Sequence, residues 1–250
     1  MVLFAFILLL FILPWSAIAE IRYRECGLAG KRVEAQDVPW QAVLHYGSYD
    51  ICNGVIINIK YILTAPDCVA DKKTSNLWVY VGYTGSYTGS RARVCKVIIH
   101  PESSKTKQDS NLALLKLCEP LLPSEDIKEI AIIDKQPQNG AQAYVSGRGS
   151  YNKLFGRCGK YVIRRKEVQL YDVKTCAAER KNSAPNISVT DLNICTAKKE
   201  RICSFDKGAP LVIDGKLAGL MAYGDCSTEP DVYFNLVHHK DWLQANTKEQ

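Results

Sequence analysis

The sequence predicts an all-β body closed by one C-terminal helix, and three observations carry that prediction. Short runs rich in β-branched and aromatic residues alternate with turn residues along most of the chain. Asp214-Gly215, inside the run Pro210–Tyr223, is a dipeptide favoured in two-residue type I′ hairpin turns. In the tail, Leu236 to Thr247, the residues Leu236, Val237, Trp242 and Leu243 recur at roughly helical spacing and predict one terminal amphipathic helix.

In chain order the predicted strands are Trp40–Tyr46, Gly54–Ala65, Leu77–Tyr83, Arg93–His100, Leu112–Leu117, Ala141–Ser146, Glu167–Val173 and Pro210–Tyr223. Each is dense in Val, Ile, Leu or aromatic residues and is followed by Gly, Pro, Asn, Asp or Ser within a few positions, as strands of barrels or sandwiches are. No repeat, low-complexity tract or long linker interrupts the pattern.

Composition narrows the class. The chain has 250 residues, 47% hydrophobic and 23% charged, with a formal net charge of +6 and ten cysteines. That is ample material for a core and ordinary for a soluble domain. Residues 1–19 are expected to be a signal peptide. Val2 to Leu13 are uninterrupted apolar residues, too few to span a bilayer; Pro14 breaks the run, and Ala17-Ile18-Ala19 forms a small-x-small cleavage site before Glu20. The mature chain is therefore expected to be secreted and extracellular, with no membrane span. An even cysteine count in an oxidising compartment predicts a disulfide framework. With no C-x-x-C pair and no Cys/His cluster, neither a metal nor a cofactor is expected.

Seven ordered segments resemble the trypsin-like serine proteases. Val38-Pro39-Trp40-Gln41-Ala42-Val43-Leu44 is similar to the family's "PWQVSL", Cys52-Asn53-Gly54-Val55-Ile56-Ile57 to "CGGSLI", and Tyr61-Ile62-Leu63-Thr64-Ala65-Pro66-Asp67-Cys68 to "WVLTAAHC". Asn111-Leu112-Ala113-Leu114-Leu115-Lys116-Leu117 is similar to "DIALLKL", and Cys203-Ser204-Phe205-Asp206-Lys207-Gly208-Ala209-Pro210 to "CQGDSGGP". Asp231-Val232-Tyr233 stands for "GVYT", and His239 to Leu243 for the closing "DWI" helix. The resemblance implies two six-stranded antiparallel β-barrels packed face to face over residues 27–250, with 20–26 as a short pro-like segment. It also implies bridges Cys52–Cys68, Cys176–Cys195 and Cys203–Cys226. Cys95 and Cys118 then fall on neighbouring strands of the first barrel and are expected to pair, which leaves Cys26 with Cys158; Cys26 as a free or intermolecular thiol stays open.

In that register the catalytic chemistry is missing. Peptide hydrolysis by this family needs a hydroxyl nucleophile, an imidazole to carry its proton and a carboxylate to orient the imidazole. The three positions hold Lys207, Asp67 and Asn111. The four histidines, His45, His100, His238 and His239, lie away from Cys68 in sequence and offer no replacement base. Phe205 stands where a glycine normally frees an oxyanion-hole N–H. Losing one such donor costs about 10²–10³ in rate. No catalytic residue is therefore assigned. Arg201 at the base of the specificity pocket and Asp231 facing it are expected to form a plugging ion pair, and Ala222-Tyr223-Gly224 replaces the family's substrate strand. Gly27-Leu28-Ala29-Gly30 stands where an activated terminus would begin; Asp206, the usual partner of that terminus, is retained.

This combination resembles the scabies mite inactivated protease paralogues, relatives of the group 3 mite allergens. That resemblance implies a secreted immune-evasion protein that binds host complement components, with neither nucleic acid nor membrane as partner. The alternatives are a decoy for protease inhibitors or a glycosaminoglycan-binding basic module, the latter on Lys72-Lys73, Arg164-Arg165-Lys166 and Lys198-Lys199. Asn186-Ile187-Ser188 is an N-glycosylation sequon on a predicted loop.

Overall fold

A computed structural model describes residues 30–83, 89–103, 111–148, 162–181, 188–198, 204–225 and 227–248. Thirteen strands are present among the described residues. The first six after the short β1 (Lys31–Arg32) are β2 (Gln41–Tyr46), β3 (Tyr49–Asn58), β4 (Tyr61–Thr64), β5 (Leu77–Val81), β6 (Ser90–Ile99) and β7 (Ala113–Leu117). They close an antiparallel barrel in the order β2-β3-β4-β7-β6-β5. The second barrel follows with β8 (Gln142–Gly147), β9 (Arg164–Tyr171), β10 (Asn193–Thr196), β11 (Pro210–Ile213), β12 (Lys216–Tyr223) and β13 (Asp231–Asn235). Its order β9-β10-β13-β12-β11-β8 is closed by β8 pairing β9, with β1 added to β9. The all-β double barrel implied by the resemblance is the observed fold.

Local chemistry explains the elements. β5 buries Leu77, Val79 and Val81 on one face of a half-buried strand. β7 buries four of its five residues and leaves only Lys116 outside. The β11–β12 turn puts Asp214 at φ 48° and Gly215 at φ 72°, the two positive values a type I′ turn demands.

Two expectations need correction. Gly54–Ala65 is not one strand: the chain reverses at Ile59-Lys60 and β3 pairs back onto β4, with Ile56 opposite Ile62. Glu167–Val173 runs as strand only to Tyr171. Asp172 then caps a helix, α1 (Val173–Lys181), its carboxylate accepting from Thr175 N–H at 2.8 Å. The closing helix begins as a 3₁₀ turn, Leu236–His239, and becomes α2 (Lys240–Thr247).

The connector between barrels is fastened at both ends. Lys128 N–H donates to Pro39 O and Ile130 N–H to Ile56 O in the first barrel, while Ile133 N–H donates to Leu217 O in the second. Bridges join Cys52–Cys68, Cys95–Cys118 and Cys176–Cys195. The expected pairs Cys203–Cys226 and Cys26–Cys158 lie outside the described residues, as do the signal segment and Asn186. No described helix is long and apolar enough to cross a membrane.

Candidate functional site: the cleft between the barrels

The cleft is assembled by one buried amide. Asn53 on β3 is fully buried, and its Nδ2 donates to Arg148 O at 2.9 Å and Asp206 O at 3.0 Å. Its Oδ1 accepts from Arg148 N–H at 2.9 Å and Gln41 Nε2 at 3.3 Å. The backbone joins in: Asn53 N–H donates to Lys207 O, and Asn53 O accepts from Thr64 Oγ1. One residue of the first barrel thus fixes both the end of β8 and the loop 205–208 of the second. Gly208 makes the approach possible at φ 79°, since a Cβ there would stand 2.2 Å from Asn53 O.

That loop meets Asp67. Pro66–Cys68 form a 3₁₀ turn after β4 that leaves Asp67 exposed, and Lys207 Nζ donates to Asp67 Oδ2 across the cleft. Both side chains are about half exposed, 42% for Lys207 and 49% for Asp67. Asn111 is buried just before β7; the pairing of Thr64 with Ala113 sets it at the strand end from which Asp67 leads. Its Oδ1 accepts from Ser103 Oγ at 2.7 Å.

Phe205 turns into the second barrel's core beside Leu211, Met221 and Tyr233 and is only 5% exposed. Among the described residues Asp214 is the sole non-glycine with positive φ, so Phe205 adopts ordinary backbone. The position carries no left-handed backbone strain, because the loop takes a conformation that accepts a side chain. Asp206 N–H points inward to Arg148 O. Gly27 lies outside the described residues.

Beside Asp231, expected to face the specificity pocket, two segments of the second barrel are joined to each other. Ser204 N–H and Oγ both donate to Asp225 O, at 3.1 and 2.9 Å. Ser204 Oγ also lies 2.5 Å from Asp231 Oδ1. Gly224 is pressed against this contact: a Cβ on it would meet Ser204 Oγ at 2.5 Å. Lys198, whose side chain is 1% exposed, donates through Nζ to Asp225 O at 2.6 Å and Ser204 Oγ at 3.0 Å, and stands 3.2 Å from Asp231 Oδ1. Burial pushes the Asp231 carboxyl up, against the pull of Lys198 and Ser204. Arg201, expected opposite Asp231, lies outside the described residues. Nothing in the local sequence marks Lys198 as this cation, since beside Lys199 it has the look of surface charge.

The loop behind the pocket is anchored by Arg180 of α1, which is fully buried. Its Nε donates to Pro230 O at 2.7 Å, and its Nη1 to Glu229 Oε2 at 2.8 Å and Asp225 Oδ2 at 3.2 Å. Burial raises the Asp225 carboxyl, but the Ser227 hydroxyl and N–H, and then Arg180, hold it down at about 2.

The basic clusters are not one patch. Lys198 is buried, Arg164 is buried and donates to Gly30 O at 2.8 Å, and Arg165 lies over the Tyr144 ring and pairs with Glu167. No group of three or more metal-ligating side chains occurs among the described residues.

Comparison with known proteins agrees with this architecture. The trypsin family model matches residues 28–243. The trypsin of Simulium vittatum is 33% identical over 220 residues, covering 82% of this chain and 87% of that protein. Among solved structures, the scabies mite inactivated protease paralogue S-I1 superposes with a TM-score of 0.78 at 23% identity, covering 89% of this chain and all of that one. Paralogue S-D1 gives 0.77 at 24% identity, again over 89% of this chain and all of that one. With the family model spanning both barrels and the cleft between them, this chain belongs to the trypsin family.

Proposed function

We propose that this chain is a secreted, proteolytically inert member of the family that acts by binding, with host complement proteins as its targets. The observation that carries inertness is the Lys207–Asp67 ion pair. At the matched positions a catalytic site needs a hydroxyl beside an imidazole. An ammonium engaged by a carboxylate has no lone pair with which to attack a carbonyl, and the carboxylate in turn is occupied by the ammonium.

The pocket supports the same reading. Ser204 and Asp225 hold its walls together, and Lys198 and Asp231 occupy the interior. A substrate side chain would have to break these contacts before entering. A decoy for protease inhibitors is disfavoured on the same ground, since a reactive-site loop presents its principal side chain to that pocket. The complement assignment rests on the sequence resemblance to the inactivated mite paralogues.

Two measurements on the mature protein test the proposal separately. A broad peptide library should show no turnover, and a fluorophosphonate probe no labelling; turnover lost on Lys207→Ala would overturn inertness. Serum lysis assays should show reduced complement activity that serine protease inhibitors do not restore. Unchanged lysis would overturn the complement assignment and leave inertness standing.

A further inference from the structure

The first barrel carries a groove of about 470 Å³ between its outer wall and the C-terminal helix, lined by Lys60, Lys96, Lys116 and Lys248 with Ile98 and Asn246 among the other walls. Its volume lies in the ~300–1,000 Å³ range of small-molecule sites. Lys96 on β6 and Lys116 on β7 are cross-strand partners, and Lys116 is also paired with Tyr61, next to Lys60. Like charges placed opposite each other destabilise a sheet, yet this sheet holds them there. The Cys95–Cys118 bridge sits beside the pair and locks the register, next to the bulge between Val94 and Lys96. Leu117 N–H donates to Lys60 O at 2.9 Å, and Lys248 N–H donates to Gln244 O at 3.2 Å as the helix ends. The described lining residues include no Asp or Glu.

We propose that this groove is a binding site for a sulfated glycan. Charges gathered within one groove lie inside the ~8–10 Å screening length of physiological salt and present a single field. Lysine ammoniums are compact point charges on flexible stems, suited to sulfates whose positions vary along a sugar chain. A single-stranded nucleic acid fits less well, because such sites stack bases on exposed aromatic faces. The one aromatic residue lining the groove, Tyr61, is 6% exposed. The proposal is independent of the inertness argued above and lies on residues the cleft does not use.

Titration of the full mature chain with a heparin-derived tetrasaccharide, at several salt concentrations, tests it. Lys96→Ala/Lys116→Ala should weaken binding at least tenfold and lower the log–log salt slope by about two. Lys72→Ala/Lys73→Ala, which removes the same charge elsewhere, should weaken it less than twofold. Lys96→Arg/Lys116→Arg should retain binding, which separates lost charge from lost folding. Equal weakening by the two alanine pairs, no weakening by either, or equally tight binding of a single-stranded DNA of matched charge would overturn the site.

Discussion

Lys207 and Asp67 answer each other's charge where an imidazole and a hydroxyl would do chemistry. Because both are half exposed, the pair adds little to stability. Lys207→Ala should change unfolding free energy by less than about 1 kcal/mol, measured by denaturant titration. Restoring side chains should not restore activity either. In Asp67→His/Asn111→Asp/Lys207→Ser, peptide hydrolysis should remain at least about 10²-fold below that of an ordinary trypsin, because Phe205 still stands where a glycine normally frees the oxyanion-hole N–H. Asn53 is the opposite case, silent chemically and strong structurally. Asn53→Ala takes the Nδ2 donor from Asp206 O and the Oδ1 acceptor from Arg148 N–H, and leaves Arg148 O with the Asp206 N–H; it should cost about 2–4 kcal/mol, seen as a lowered melting temperature. Asp67, Asn111 and Lys207 were legible in the sequence because flanking motifs fix their register. Lys198 was not, because its partners Ser204, Asp225 and Asp231 are brought to it by the fold, and burial of a lysine depends on partners that local sequence does not reveal.

At the scale of elements, strands with alternating or continuous apolar residues were legible, β5 and β7 among them. Helix α1 was not. Its buried residues are Cys176 and Arg180, so no apolar stripe marks an inner face. The loop that this helix anchors carries an acid response of its own, set at Asp225 first by Ser227 and then by Arg180. The folded Asp225 carboxyl titrates at about 2, below its ordinary value of 3.8. A lowered carboxylate contributes stability that is present above the unfolded value and is lost as pH falls from about 4 through about 2. Asp225→Asn should therefore flatten the acid limb of a pH–stability profile over that window by lowering the plateau above it. Arg180→Met, which takes the guanidinium from Pro230 O and from the Glu229 and Asp225 carboxylates, should destabilise by about 2–3 kcal/mol. It should also loosen residues 225–230 in hydrogen exchange.

Over the whole molecule, the double barrel was legible because seven motifs recur in order, each with a strand or loop attached. What lay beyond sequence reasoning was how the barrels grip one another. Asn53, Gln41 and Ser146 form a buried polar chain across the interface, with Ser146 Oγ donating to Gln41 Oε1 at 2.9 Å. Its members look like ordinary strand residues, and only the register of β2, β3 and β8 brings them together.

That grip has a corollary for how the protein tolerates damage. Between the barrels the backbone crosses once in the described connector, near the 83%-exposed Leu122. A single proteolytic nick there would sever the polypeptide without parting its halves, which would stay joined through the Asn53 amide, the connector's bonds to the first barrel and the pairing of β1 with β9. Gel filtration of nicked protein should give one peak that resolves into two fragments only in denaturant with a reductant present, which opens the expected Cys26–Cys158 bridge. In Asn53→Ala the nicked and reduced fragments should part at a lower denaturant concentration.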